Sequence, residues 1–224
     1  MVPDMNGRTK RFPRQGSVLT MVIIAVCLSL GGCLSPSSPP PEITRHVLES
    51  SRWEDAATRS APLSEDTITV ARFSAAEACR GTAMLYSLNA GERSAYRYHR
   101  WHVTLPEMVV DFLVDDLSRS LLFQAVFTDH TYEKSRYYLE GRVADCLEYV
   151  EDGQRRAVFG FTATFIDGNE KPASRRVIFQ KEYRNEELIQ GELPSDLAKA
   201  MSASMALLAE QLINDMADHL DRGL

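Results

Sequence analysis

The sequence lacks an apolar run long enough to cross a bilayer. Its longest such stretch, residues 18–30, has about 13 residues, whereas a helix spanning roughly 30 Å of hydrocarbon needs about 20. Four basic residues precede this stretch, and a basic region followed by a short apolar region is typical of an export signal. We therefore predict that residues 1–32 form a signal peptide that is removed.

Cysteine is also scarce, with four residues in the whole chain. Cys27 lies inside the predicted signal peptide and would leave with it. The apolar stretch ends in Leu30, Gly31, Gly32 and Cys33, which together resemble the lipobox of bacterial lipoproteins. The resemblance implies that the Cys33 thiol is acylated and that Cys33 becomes the first residue of the mature chain.

Leu34 would then be the second mature residue, a position that informs the sorting of lipoproteins. It is not the aspartate associated with inner-membrane retention. If the source has two membranes, we therefore expect the protein to be anchored in the outer one. Proline and serine dominate the following residues, and we expect residues 33–41 to form a semi-rigid tether that extends about 3.1 Å per residue.

The two remaining cysteines, Cys79 and Cys146, have two interpretations. In an oxidising envelope compartment they could form a disulfide. They could equally be two small, reduced and partly buried residues, because sequence spacing does not establish that their Cα atoms come within bonding range.

Dense runs of lysine and arginine are absent. Removing 32 of 224 residues leaves 192, and it takes away four of the 25 basic residues and one of the 31 acidic ones, so the mature chain has a formal charge of −9. We predict no nucleic-acid partner, because no basic stripe is present. The remaining length fits one domain, residues 42–224.

Motifs of the common catalytic and metal sites are missing as well. The sequence has no Gly-x-Ser-x-Gly, no His-Glu-x-x-His and no phosphate-binding loop. His99 and His102 lie three apart in a predicted strand, which points them to opposite faces. Three aspartates follow one another closely on a predicted helix, and we interpret them as its solvated face: Asp111, Asp115 and Asp116. We therefore predict no catalytic residues, no metal site and no cofactor.

Periodicity and turn signals predict the fold. A capping-box spacing at Thr104 and Glu107 starts a helix that reaches about residue 122, and apolar residues in steps of three or four predict a second helix over 195–221. Alternating patterns predict strands over residues 43–48, 67–73, 84–88, 95–103, 124–128, 137–150, 157–165 and 177–183. Turn signals at residues 89–91, at Asp152–Gly153 and at residues 167–168 predict a hairpin of the third and fourth strands and an antiparallel meander of the last three. The prediction is an α+β fold, an antiparallel sheet with two amphipathic helices packed on one face.

The strand predicted over residues 137–150 leaves one choice open. If it is regular, Val143, Asp145 and Leu147 share a face and Cys146 lies on the other. A bulge near Asp145 would exchange the faces and turn Cys146 inwards.

Six features follow one another along the chain: the lipobox, residues 84–86 leading into 97–101, the helix start at 105–108, residues 122–126, the strand at 138–143 and the C-terminal helix. In this order and spacing they resemble the ABC-type transport auxiliary lipoprotein family. The family includes accessory lipoproteins of MCE (mammalian cell entry) transport systems.

The resemblance implies a non-enzymatic role. Such a lipoprotein would face the periplasm from the outer membrane, dock on an MCE-domain protein with its ABC permease and ATPase, and help to move phospholipid or other hydrophobic cargo between membranes. Tyr86 and Trp101 match the family's motif and are candidates for a partner interface, although aromatic residues on strands usually belong to a core. A homo-oligomer is left open.

Two other non-enzymatic classes fit the same features. One is a lipoprotein chaperone or plug in lipopolysaccharide export, and the other is a lipoprotein activator of cell-wall synthesis. Each would bind a different partner: an outer-membrane barrel in the first case and a synthase in the second.

Overall fold

The computed structural model describes residues 41–50, 60–89 and 91–223. The predicted signal peptide, Cys33, Leu34 and most of the tether lie outside these residues. Within them the strands are β1 (Thr44–His46), β2 (Thr67–Val70), β3 (Ser74–Ala75), β4 (Ala83–Ser87), β5 (Ser94–Trp101), β6 (Ala125–Thr128), β7 (Tyr137–Glu151), β8 (Gln154–Asp167) and β9 (Val177–Leu188). The helices are α1 (Leu105–Ser120), the short α2 (Ala173–Arg176) and α3 (Pro194–Gly223), and a 3₁₀ turn covers Glu77–Cys79.

The long strand β7 organises the sheet. One of its edges pairs with β8 in antiparallel fashion from end to end, and β8 pairs with β9 in the same way. Its other edge is shared by three short strands, β2, β3 and β4, which all run parallel to it. β4 then pairs with β5 and β5 with β1, whereas β2 pairs with β6.

The prediction of a purely antiparallel sheet is wrong, because the sheet is mixed. The β7–β8–β9 meander and the β4–β5 hairpin are antiparallel as predicted, and Asp152 and Gly153 adopt positive φ angles of 51° and 76° in the β7–β8 turn. The parallel pairs join strands that are distant in sequence. Parallel neighbours need a long connection, and α1 lies within the connections that lead from β2 to β6 and from β4 to β7.

One hydrophobic core joins the sheet to both long helices. Phe159, Phe161 and Phe165 alternate along β8 and are fully buried, together with Leu139 and Val143 of β7. α1 contacts β2, β6 and β7, α3 contacts β8 and β9, and the two helices contact each other. The predicted stripe of α3 belongs to the same core at all seven positions: Leu197, Met201, Met205, Leu208, Leu212, Met216 and Leu220.

Polar contacts fix the ends and the flanks of the helices. At the start of α1 the Thr104 backbone N–H donates to the Glu107 carboxylate at 2.9 Å, which confirms the predicted capping box. On α3, Asp215 accepts a 2.6 Å hydrogen bond from the Tyr183 hydroxyl and pairs with Lys181 at 2.7 Å. Burial, followed by the hydrogen bond to Asp215, raises the pKa of Tyr183. Tyr183 and Lys181 both lie on β9, so these contacts set the position of α3 over the sheet.

β7 contains the bulge that the sequence left open. Its register with β8 shifts between Val143, which pairs with Phe161, and Asp145, which pairs with Gly160. Beyond this point Cys146 pairs with the fully buried Phe159 and is itself buried. Cys79 and Cys146 are joined by a disulfide, with their Cα atoms 5.9 Å apart.

We predict that this disulfide forms in the native protein and contributes to its stability. It closes a loop with a sequence separation of 67, for which chain entropy gives a stabilisation of about 4 kcal/mol. Reduction with dithiothreitol should lower the free energy of unfolding of the full-length protein by about this amount. The double variant Cys79→Ala with Cys146→Ala should show no response to the reductant. Two thiols that react in the denatured but unreduced mature protein, from which Cys27 would be removed and in which Cys33 would be acylated, would contradict the bond.

Candidate functional site

The two aromatic residues proposed for a partner interface differ in how deeply the structure buries them. Trp101 is fully buried in the core, and its Nε1 has no hydrogen-bond partner among the described residues. Tyr86 is half-buried, with its ring 5.0 Å from that of Tyr96. Direct contact through Trp101 would require uncovering its indole, so only Tyr86 is placed to reach a partner from the surface.

A buried ion pair lies next to Tyr86. Glu148 is 2% exposed and faces the core side of β7, because the bulge reverses the alternation after Val143. Arg155 of β8 donates to it through two nitrogens, at 2.7 Å from Nε and 3.2 Å from Nη2. The Tyr96 hydroxyl of β5 donates to the same carboxylate at 2.7 Å. The Glu148 carboxylate therefore links three strands, β5, β7 and β8.

The protonation states in this cluster follow from the same contacts. Burial, and then the hydrogen bond to Glu148, raises the pKa of Tyr96 to about 12. The hydrogen bonds to Glu148 also raise the pKa of Arg155. Arg155 further donates to the backbone oxygen of Gly191, just before α3. The carboxylate, the guanidinium and the hydroxyl group of this cluster are thus all hydrogen-bonded to one another. This arrangement favours a structural role for the cluster over acid–base chemistry.

A histidine pair extends the cluster towards the edge of the sheet. The Nε2 of His46 on β1 lies 3.1 Å from the Nδ1 of His99 on β5, and the rings stack with centroids 5.4 Å apart. The His99 ring meets Tyr96 edge to face at 6.2 Å. Burial, and then the neighbouring His99, lowers the pKa of His46. Only His99 and His102 stand out in the sequence as a possible histidine pair. The sequence contains no signal for the parallel β1–β5 pairing that places His46 beside His99.

The acidic row on α1 is only partly solvated. Asp111 and Asp115 are exposed as expected, but the expectation is wrong for Asp116, which is buried. Val109, Leu113 and Leu117 form an apolar stripe with a spacing of four residues, but Met108 and Phe112 are buried as well, so the buried face of α1 is broader than that stripe.

A cavity of about 650 Å³ opens between the β2–β3 loop, the start of α1 and the end of β6. Its wall carries charges of both signs, and several are paired within it: Arg72 contacts Asp129 at 2.9 Å, and Glu107 caps α1 through Thr104. The Ser74 hydroxyl donates to the Gly141 carbonyl. The cavity offers a binding surface of mixed character, with Phe73, Pro106 and Val110 beside the charged groups, and shows no nucleophile aligned with a base among its lining residues.

Metal and membrane-spanning features can be judged for residues 41–50, 60–89 and 91–223. In that part of the chain no group of three or more histidine, cysteine, aspartate or glutamate side chains could hold a metal ion. None of its helices has both the length and the apolar character needed to cross a bilayer.

We predict that the Glu148–Arg155 pair is essential for stability. Changing Arg155 to Met removes the countercharge and leaves a buried carboxylate, which should lower the free energy of unfolding by about 3 kcal/mol or more. The matched control is Arg80→Met, because Arg80 and Glu77 form a pair that is 69% and 82% exposed and should matter little. Urea unfolding of both variants measures the difference. Equal, small losses would contradict a structural role for the buried pair.

We also predict that acidification destabilises the protein through His46 before its carboxylates are protonated. The folded state lowers the pKa of His46 below 6.5, and burial does the same for His219. As the pH falls through 6.5, the unfolded chain therefore binds protons that the folded chain does not, and stability decreases.

The melting temperature measured at pH 7.5 and at pH 5.5 tests this prediction. The double variant His46→Gln with His219→Gln should lose less on acidification than the unmodified protein. The variant His102→Gln, at an exposed histidine, should behave like the unmodified protein. A fall in melting temperature that is the same in all three proteins would contradict the assignment.

Two crystal structures share this fold. Protein XCC0632 from Xanthomonas campestris matches with a TM-score of 0.62 at 17% identity, over 82% of this chain and 98% of that one. An uncharacterised protein matches with a TM-score of 0.60 at 12% identity, over 78% of this chain and 99% of that one. At these identities the similarity shows the fold alone. No curated protein matches the sequence.

The family assignment comes from the sequence itself. The family model described as the ABC-type transport auxiliary lipoprotein component matches residues 47–213. This range covers β2 to β9 and most of α3, including the bulge, both cysteines of the disulfide and the Glu148 cluster. The match confirms the resemblance seen in the order of the sequence motifs: the chain belongs to the ABC-type transport auxiliary lipoprotein family.

Proposed function

We propose that the protein is a non-enzymatic lipoprotein of an MCE-type ABC transport system, facing the periplasm from the outer membrane. In this role it would help to pass phospholipid or other hydrophobic cargo between the two membranes. The observation that carries the proposal is the family match over residues 47–213, in a chain whose Cys33 completes a lipobox.

Acylation at Cys33 would supply the membrane attachment. Each buried CH₂ of an acyl chain contributes about 0.8 kcal/mol, so several chains hold a protein on a bilayer almost permanently. The proline-rich residues that follow would then keep the domain at a limited distance from the lipid. Leu34, in place of aspartate, supports outer-membrane placement.

The polar groups of the domain support a binding role over a catalytic one. Glu148 is saturated by Arg155 and Tyr96, and Asp215 by Lys181 and Tyr183. Nucleotide hydrolysis would belong to the partner ATPase, and the domain would act as a rigid docking unit. Tyr86, half-buried beside the Glu148 cluster, is our candidate for a partner contact.

In-cell crosslinking followed by affinity capture of the tagged protein tests the proposal. We expect an MCE-domain protein to be recovered together with its permease or ATPase. The variant Tyr86→Ala should reduce this recovery several-fold, whereas Tyr132→Ala, at a fully exposed tyrosine, should leave it unchanged. The variant Cys33→Ala should leave the membrane fraction and lose the complex.

Other partners would overturn the proposal. Recovery of only an outer-membrane export barrel would indicate a role in lipopolysaccharide export. Recovery of only a cell-wall synthase would indicate an activator of cell-wall synthesis.

A further inference from the structure

We propose that the sheet edge formed by β1 and β5 lies against the anionic phospholipid surface that carries the anchor. We call this surface the β1–β5 patch, formed by residues 43–47 and 93–100. The inference rests on acylation at Cys33, proposed above, and adds a defined surface through which the domain itself contacts the membrane.

Chain connectivity places this edge close to the lipid. Glu42 is nine residues beyond Cys33, so an extended tether of about 3.1 Å per residue holds it within roughly 28 Å of the anchor. β1 begins two residues later and pairs with β5, so these two strands are the first part of the sheet that the tether reaches.

Apolar side chains are exposed at this edge. Ile43 and Val47 flank β1 and are 49% and 42% exposed, and Tyr98 of β5 is 39% exposed. Exposed aliphatic side chains and a tyrosine beside basic residues are typical of a surface that sits at a membrane interface.

The two faces of the β1–β5 pair differ in character. Arg45 pairs with Arg100 in parallel register, so these two side chains share one face, and Tyr98, two residues before Arg100, is exposed as well. The alternate positions, His46 and Trp101, turn towards the core. The basic and aromatic groups are therefore presented away from the buried cluster.

The charge of the patch is opposite to that of the mature chain. Residues 43–47 and 93–100 contain four arginines and no acidic residue, whereas the mature chain as a whole has a formal charge of −9. Glu42, Glu49 and Glu92 lie just outside these segments.

The arginine side chains of the β1–β5 patch are also available to bind an anionic surface. Among the described residues, Arg45, Arg93 and Arg97 form no ion pair, and Arg97 lies 6.0 Å from the Tyr98 ring centroid. Arg100 donates to the backbone oxygen of Tyr96. Unpaired arginines in an acidic protein attract an anionic surface, and the tether brings lipid phosphate within their reach.

Hydrogen exchange on the mature acylated protein tests the inference. The protein is reconstituted into vesicles of phosphatidylcholine alone or of phosphatidylcholine with phosphatidylglycerol. We expect slower exchange in peptides that cover residues 42–48 and 93–102 only with the anionic lipid, and high salt should remove the effect. In the double variant Arg45→Glu with Arg97→Glu, the slowing of exchange by the anionic vesicles should fall about fivefold for each arginine replaced.

A charge-matched variant and vesicle flotation make the outcomes distinct. Arg175→Glu with Arg176→Glu changes two exposed arginines of α2 by the same charge and should retain the protection. Protein that floats with both vesicle types but exchanges equally in both would overturn the patch and leave the anchor standing. Protein that floats with neither would overturn both proposals. Protection that arises only after adding the captured partner would assign the patch to a protein instead of the membrane.

Discussion

The bulge between Val143 and Asp145 is the constraint on which the rest of the domain depends. Without it, β7 would continue its alternation and present Cys146 and Glu148 to the outer face of the sheet. With it, the first half of β7 packs Leu139 and Val143 inwards, and the second half packs a cysteine and a glutamate into the same interior. One inserted residue thus changes an apolar strand into one that carries two cross-links.

These cross-links hold the segments that the sheet secures least. β3 has two residues and β4 has five, so neither brings many backbone hydrogen bonds to the edge of β7. The disulfide joins the turn after β3 to β7, and the Glu148 cluster joins β5 and the chain before α3 to the same strand. Burying Glu148 would be costly if it were alone, but two donors compensate its charge, and removing either would expose that cost.

Local patterns predicted the elements well and the pairing of distant strands poorly. The Thr104–Glu107 capping box, the Asp152–Gly153 turn and the apolar stripe of α3 depend on residues close in sequence, and each appears in the structure as the sequence indicated. The parallel pairing of β1 with β5 depends on strands more than fifty residues apart, where three residues carry almost no register information. That pairing creates the His46–His99 contact, which is why the sequence did not reveal it. Asp116 was misplaced for a related reason, because its burial depends on what packs against α1.

The same division between local and distant signals explains how the domain is organised for its role. Family membership follows from a pattern spread over residues 47–213, and many of these residues supply the core and the cross-links of the domain. The surface proposed for membrane contact lies where the tether enters, and in the part of the chain that the structure describes Arg45 and Arg97 form no ion pair of the kind that occupies Arg155 and Lys181. An interior with paired charges would keep its shape while, in the arrangement proposed above, one edge faces lipid and another surface faces a partner. In the proposed role between a bilayer and a transport complex, the separation of these two surfaces would matter more than any single reactive side chain.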